Sequence, residues 1–303
     1  MSSGRVLIPI TRPYITEDEV QAVAAVVRAG WLLQGPQVAA FEEALAYYVG
    51  ARHAVATTNC SAALHLALAA WDIGPGDEVI VPSYGFIAVA HAVVHTGATP
   101  VFVDIDPRTC TMDPGAVETA VTPRTRAVIP VDQHGLPADL HAILLIADRY
   151  GLHVLEDAAP ALGATVLGRR VGAISPATCF SFHAHASITS GEGGMITTDD
   201  GALAARLRML RAHGAALPDP MHLHANALAP DDYDAAGYNY RLTDIQAAVG
   251  LAQLKKIDWI LERRRTLGER YTRLLADLPG LTLPHVPSGL SHVYQSYAVR
   301  LDP

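Results

Sequence analysis

Lysine is almost missing from this chain. Only two are present, Lys255 and Lys256, side by side toward the C-terminal end, while Lys and Arg together number 22. The skew toward arginine runs throughout, so the shortage is informative only where one position calls for a lysine. Cysteine is scarce as well. Cys60, Cys110 and Cys179 are far apart and odd in number. That pattern suits a reducing cytoplasm and forms no zinc motif. No apolar run reaches the roughly 18–20 residues that span a bilayer, and the opening "MSSGRVLIPITRP" lacks the apolar region of a signal peptide. A basic stripe is missing too, apart from Arg263 to Arg265, which reads as the solvated face of a long helix. With a net charge of −8, a nucleic-acid partner is not expected. Half of the residues are hydrophobic and 17% are charged. That composition describes a compact enzyme rather than a disordered chain.

What is present is a rhythm. "HAVATT" reads as a strand and "SAALHLALAAW" as a helix. "DEVIVP" is a strand, and "FIAVAHAVVHTG" a helix stopped by glycine. "TPVFVDID", "RAVIPVD" and "LHVLEDAA" continue as strands, with helices at "PGAVETAVT" and "ADLHAILLIADRYG" between them. Further apolar runs, "ATCFSF" and "GMITT", precede a helix at "DGALAARLRMLRAHG". Continuous apolar strands alternating with helices predict an α/β fold with a mostly parallel sheet covered on both faces. The Pro- and Asp-rich segment from Ala215 to Ala236 reads as a long surface loop. One long helix is expected from "LTDIQAAVG" to "LLADL", capped by Thr243 or Asp244, with both lysines solvated on it. The strand-like "YQSYAVRL" after it has nothing to pair with.

Chemistry-bearing residues cluster at strand ends. Around Cys60 and Ser61 a strand gives way to a helix whose N-terminus would attract phosphate, unless Ser61 or Asn59 merely caps it. Glu156 and Asp157 close a strand where open α/β sheets place ligands. A buried carboxylate there needs a cation, or it is a structural cap. Phe86, at a helix start, either lies on a flat ring or packs in the core. In "CFSFHAHASITSGEGG", Ser181 can donate a hydroxyl to phosphate, and the glycines make a turn tolerant of positive φ. His183 and His185 lack the further ligands a metal would require, so no metal is expected. "GYNYRLTD", which contains Asn239, is a polar cluster at a helix start.

Taken in order, "IPITRPYITEDEVQAVAAVVRAGWLLQGPQVAAFEEALAYYVG", "SAALHLAL", "GPGDEVIVPSYGFIA", "GATPVFVDID", "EDAAPALGA", "CFSFHAHASITSGEGGMITT" and "GYNYRLTDIQAAVGLAQL" resemble the DegT/StrS-type sugar-nucleotide aminotransferases. The series covers nearly all of Ile8 to Leu254. The resemblance implies fold type I, with pyridoxal phosphate or pyridoxamine phosphate as cofactor. It further implies a large domain over residues 1–250 with a seven-stranded sheet. Residues 251–303 would be a linking helix and the start of a smaller C-terminal α/β domain, here truncated. By the same resemblance, Cys60, Ser61 and Ser181 would hold the phosphate, Phe86 would stack on the ring and Asp157 would pair with its nitrogen. Asn239 would reach the cofactor of a second subunit, making a homodimer. His183 and His185 would touch substrate. The partners implied are a nucleotide sugar and an amino donor, glutamate or glutamine.

The family's Schiff-base lysine lies six residues before the Glu of the "EGG" turn, and counting back from Glu192 gives Ala186. Alanine can neither bind the cofactor covalently nor carry a proton. The expected reading is an inactive Lys-to-Ala form able to trap a cofactor–product adduct. Two alternatives stand beside it. One is a lysine-less sugar dehydratase, although the available histidine, His185, is one place early. The other is a non-catalytic regulator that binds cofactor or sugar. Cys60, where the family favours glycine, requires a negative φ.

Overall fold

The computed structural model describes residues 9–215 and 232–301. In chain order the strands of the central sheet are β1 (His53–Thr57), β2 (Glu78–Pro82), β3 (Thr99–Val103), β4 (Thr125–Val128) and β5 (His153–Asp157). A short hairpin, β6 (Thr165–Val166) and β7 (Arg169–Arg170), intervenes before β8 (Ala177–Ser181) and β9 (Gly194–Thr198) complete the set. The seven strands lie in the order β1-β9-β8-β5-β4-β2-β3. Only β9 runs against its neighbours, and all other pairs are parallel. The predicted α/β class and mostly parallel sheet are therefore observed. Because β1 and β8 share the direction of the parallel strands, the C-terminal ends at Thr57, Pro82, Asp157 and Ser181 all open on one edge.

Helices cover both faces: α1 (Glu17–Ala29), α2 (Pro36–Val49), α3 (Cys60–Ala70), α4 (Ala88–His95), α5 (Pro114–Ala120), α6 (Leu140–Tyr150), α7 (Gly201–Arg211), α8 (Asp244–Leu254) and α9 (Ile257–Leu275). On one face α3, α4 and α7 bury Leu64, Val93 and Leu207 against Val55, Leu155 and Cys179. On the other, Phe41 and Ala247 pack on Phe180 and Met195, and Ile143 packs with Val128 and Val154. Successive strand side chains point to opposite faces. Leu155 and Asp157 therefore project toward α3, while Val154 and Glu156 project the other way.

Four expectations change. The single long helix is two, because Lys255 and Lys256 form a break between α8 and α9. Lys255 is exposed as expected, but Lys256 is not free in solvent. Its Nζ bonds Thr16 Oγ1 at 2.7 Å and pairs with the buried Glu19, and the break turns the lysine toward them. In the arginine run only Arg263 is exposed. Arg264 donates to the carbonyls of Tyr294 and Gln295, and Arg265 to that of Gly163. The last strand has a partner: β10 (Leu281–Thr282) pairs with β12 (Arg300–Leu301), while β11 (Leu290–Ser291) adds to β6. Most of the Ala215–Ala236 loop lies outside the described residues, although Ala215 and Tyr233 are bridged at its base.

Candidate active site

The edge formed by the strand ends gathers most of the residues singled out in the sequence. After β1, Asn59 adopts an extended backbone and its side chain accepts from Ala62 N–H at 2.8 Å, so Asn59 caps α3. The amides of Cys60 and Ser61 open the helix, where no intrahelical acceptor exists for them. Cys60 is not at positive φ, so its side chain causes no backbone strain in place of glycine. Close approach matters instead at Gly194 on β9, where a Cβ would lie 2.4 Å from the Asn59 carbonyl carbon.

Asp157 faces this helix start and is only 6% exposed. Its Oδ1 accepts from Ala159 N–H at 3.1 Å, with Cys60 Sγ 3.9 Å away. Burial pushes the carboxyl up to about 6, although the Ala159 amide and the Cys60 thiol pull it down. Burial and the Asp157 charge in turn push Cys60 well up, so it stays a thiol. Among the described residues no lysine, arginine or histidine pairs with Asp157.

The loop after β8 is a tight turn. Ser181 Oγ accepts from His183 N–H at 3.3 Å, and Ala186 N–H donates to the His183 carbonyl at 2.9 Å. The rings of His183 and His185 meet edge-on at 4.9 Å, and His183 Nε2 lies 3.7 Å from Glu192 Oε1. Of the glycines that follow, Gly191 alone uses positive φ. Gly193 is needed for space, since a Cβ there would reach Ser190 Oγ at 2.4 Å. Two distant segments fasten the loop. Thr11 Oγ1 donates to the Ala184 carbonyl at 3.2 Å, and Gln295 Nε2 to that of His185 at 2.8 Å.

Cys60 and Asp157 thus meet directly, and Ser181, His183, His185 and Ala186 form one turn on the same edge. Phe86 stands just before α4 and is 76% exposed. Asn239 is also exposed. No described contact joins either residue to that group. The chain around Asn239 is nevertheless close, because the Tyr240 carbonyl accepts from Thr58 N–H at 2.8 Å. The sequence reading missed Tyr84, whose hydroxyl is 3.3 Å from His134 Nε2. It also missed the strip from Val293 to Ser296 that bonds to His134, Gly135 and His185. Only Gly135 signalled that strip: it sits at φ +99°, and a Cβ would come within 2.7 Å of Val293.

Solved aminotransferases share this architecture. DesV from S. venezuelae superposes with a TM-score of 0.88 at 42% identity, covering 94% of this chain and 74% of that one. The sugar aminotransferase Spr1654 from Streptococcus pneumoniae, solved in a PMP form, gives 0.90 at 30% identity, covering 97% and 79%. The fold is that of the pyridoxal-phosphate-dependent aminotransferases. The chain belongs to the DegT/DnrJ/EryC1/StrS aminotransferase family, whose signature matches residues 13–303. It is 44% identical over 295 residues to the Bacillus subtilis spore coat polysaccharide biosynthesis protein SpsC, covering 97% of this chain and 76% of SpsC.

Proposed function

We propose that this sugar aminotransferase fold binds pyridoxal phosphate or pyridoxamine phosphate without a covalent bond, and that Ala186 leaves it inactive as a transaminase. With lysine at 186 the same site would move an amine from glutamate or glutamine to a keto-sugar nucleotide. The observation that carries this reading is Asp157, a buried carboxylate with no cation among the described residues, facing the open amides of α3. A protonated ring nitrogen supplies the missing positive charge, and a phosphate suits the helix start. When bound, the cofactor serves as an electron sink for the carbon that loses its proton.

The residues divide the work. The amides of Cys60 and Ser61 and the Ser181 hydroxyl hold phosphate. Asp157 keeps the ring nitrogen protonated, and Phe86 lies on the ring. His183 and His185 face the sugar. At 186 a lysine amine would carry the proton between the substrate carbon and the cofactor, and a methyl group cannot. Asn239 reaches across to the second subunit of a cytoplasmic homodimer.

Equilibrium binding of pyridoxamine phosphate tests this reading. The chain as it stands should bind and release the cofactor on dialysis, without the absorbance of a covalent lysine linkage to pyridoxal phosphate. Ala186→Lys should gain that absorbance. Failure of both proteins to bind either form would overturn the proposal.

A further inference from the structure

Behind the site, on the sheet face opposite Asp157, two carboxyls are buried together. Asp132 and Glu156 are both 0% exposed. Asp132 Oδ1 accepts from Ala138 N–H at 2.9 Å, and Glu156 Oε2 from Thr178 Oγ1 at 2.8 Å. The second oxygen of each, Asp132 Oδ2 and Glu156 Oε1, is fully buried and meets no donor among the described residues. The parallel bridge of Val131 to Asp157 sets the two residues on neighbouring strands, where each carboxyl feels the other, and the Ser175 hydroxyl near Glu156 is buried without a partner as well. Among the described residues, neither carboxyl forms an ion pair with a lysine, arginine or histidine. Two adjacent carboxylates shielded from bulk solvent, with no cation beside them among the described residues, cannot both be ionised. A proton held between the two orphaned oxygens removes both defects at once, as donor to one and acceptor from the other.

The backbone ties this pair to Asp157. Asp132 N–H donates to the Asp157 carbonyl at 3.0 Å, and Asp157 N–H to that of Pro130 at 2.8 Å. Glu156 is the residue before Asp157. The titratable groups nearby are Asp157 on β5, Cys179 on β8 and Cys60 at the start of α3, and none is cationic. We propose that Asp132 and Glu156 share one proton, and that this dyad is a positioning element: it limits the buried charge behind the sheet so that Asp157 stays ionised toward the ring nitrogen. Burial raises both carboxyls above their ordinary range, and each also feels the other or Asp157. The shared proton stands on this chain alone; its purpose at Asp157 rests on the cofactor reading above.

Difference infrared spectroscopy of the cofactor-free protein at neutral pH tests the shared proton. One protonated-carboxyl carbonyl band is expected. It should vanish in Asp132→Asn and in Glu156→Gln, whose amides supply the donor, and persist in Asp157→Asn. No such band in the unaltered chain, or a band that survives both amide variants, overturns the dyad. Its role is read from the acid-side pH midpoint of pyridoxamine phosphate binding. The double variant Asp132→Asn/Glu156→Gln removes the remaining negative charge and should move that midpoint to lower pH, with the single variants unmoved. A double variant that titrates like the parent leaves the dyad merely structural and overturns the positioning role. Absence of binding in every protein, parent included, would instead defeat the cofactor reading, and the infrared result would still decide the proton.

Discussion

At neutral pH the Asp157 carboxyl must ionise where no cation among the described residues meets it. Holding it at about 6, instead of its ordinary value near 4, costs the folded chain about 3 kcal/mol. The sign follows from linkage: the folded state binds this proton more tightly than the unfolded state. The cost is nil below pH ~4, grows as pH rises through the gap, and is complete above ~6. Asp157→Asn should therefore raise the unfolding free energy by about 2–3 kcal/mol at pH 7.5 and change it little at pH 4, while losing affinity for pyridoxamine phosphate. Thermal unfolding with and without that ligand checks both halves. An unchanged stability at pH 7.5 would mean that Asp157 is already paired. At the same scale Ala186 is the residue whose meaning depends wholly on its neighbours. By itself it is an ordinary half-buried alanine in a turn. Only its distance along the chain from Glu192 carries the proposal that an amine belongs there.

Elements are held by residues far away in sequence. Thr243 caps α8 through a reciprocal pair with Gln246, as one of the two expected candidates would. Asp244, the other candidate, caps a different helix. Its carboxylate accepts from the amides of Gly35, Gln37 and Val38 at 2.8, 3.1 and 3.0 Å, which closes the start of α2. Asp244→Ala leaves those buried donors unmet and should lower stability by about 2–4 kcal/mol, measured by urea unfolding. Lys256 joins the chain before α1 to the break between α8 and α9. For Glu19, burial alone would raise the carboxyl, but bonds from Lys256, Gln253 and Thr16 hold it at about 2. Its contribution is complete above the ordinary carboxyl range and is lost as pH falls toward 2. Lys256→Met should cost about 3 kcal/mol at pH 7, with the deficit shrinking in acid. An equal deficit at both pH values would point to packing rather than charge. These cases mark what the sequence could reveal. Strands such as "EVIVP" and helices such as "SAALHLALAAW" are local patterns, and so are Asp157 and Cys60 at the ends they follow. The break at Lys255 breaks no apolar period and uses neither proline nor glycine. The Asp244 cap and the Asp132–Glu156 pair exist only once separate segments meet.

Across the whole molecule the parallel strands deliver their loops to one edge, and both the N-terminal segment at Thr11 and the C-terminal strip at Gln295 close on the turn that holds Ala186. Such a frame positions the backbone at 186 whatever side chain stands there. A lysine placed at 186 should then stand where the proposed reaction requires it. The most direct measurement is amine transfer from glutamate or glutamine to a panel of keto-sugar nucleotides, comparing the chain as it stands with Ala186→Lys. No turnover is expected with alanine, and amino-sugar nucleotide together with the donor's keto acid is expected from the lysine form. Turnover by the alanine form, or none by a lysine form that binds cofactor covalently, would contradict the proposal.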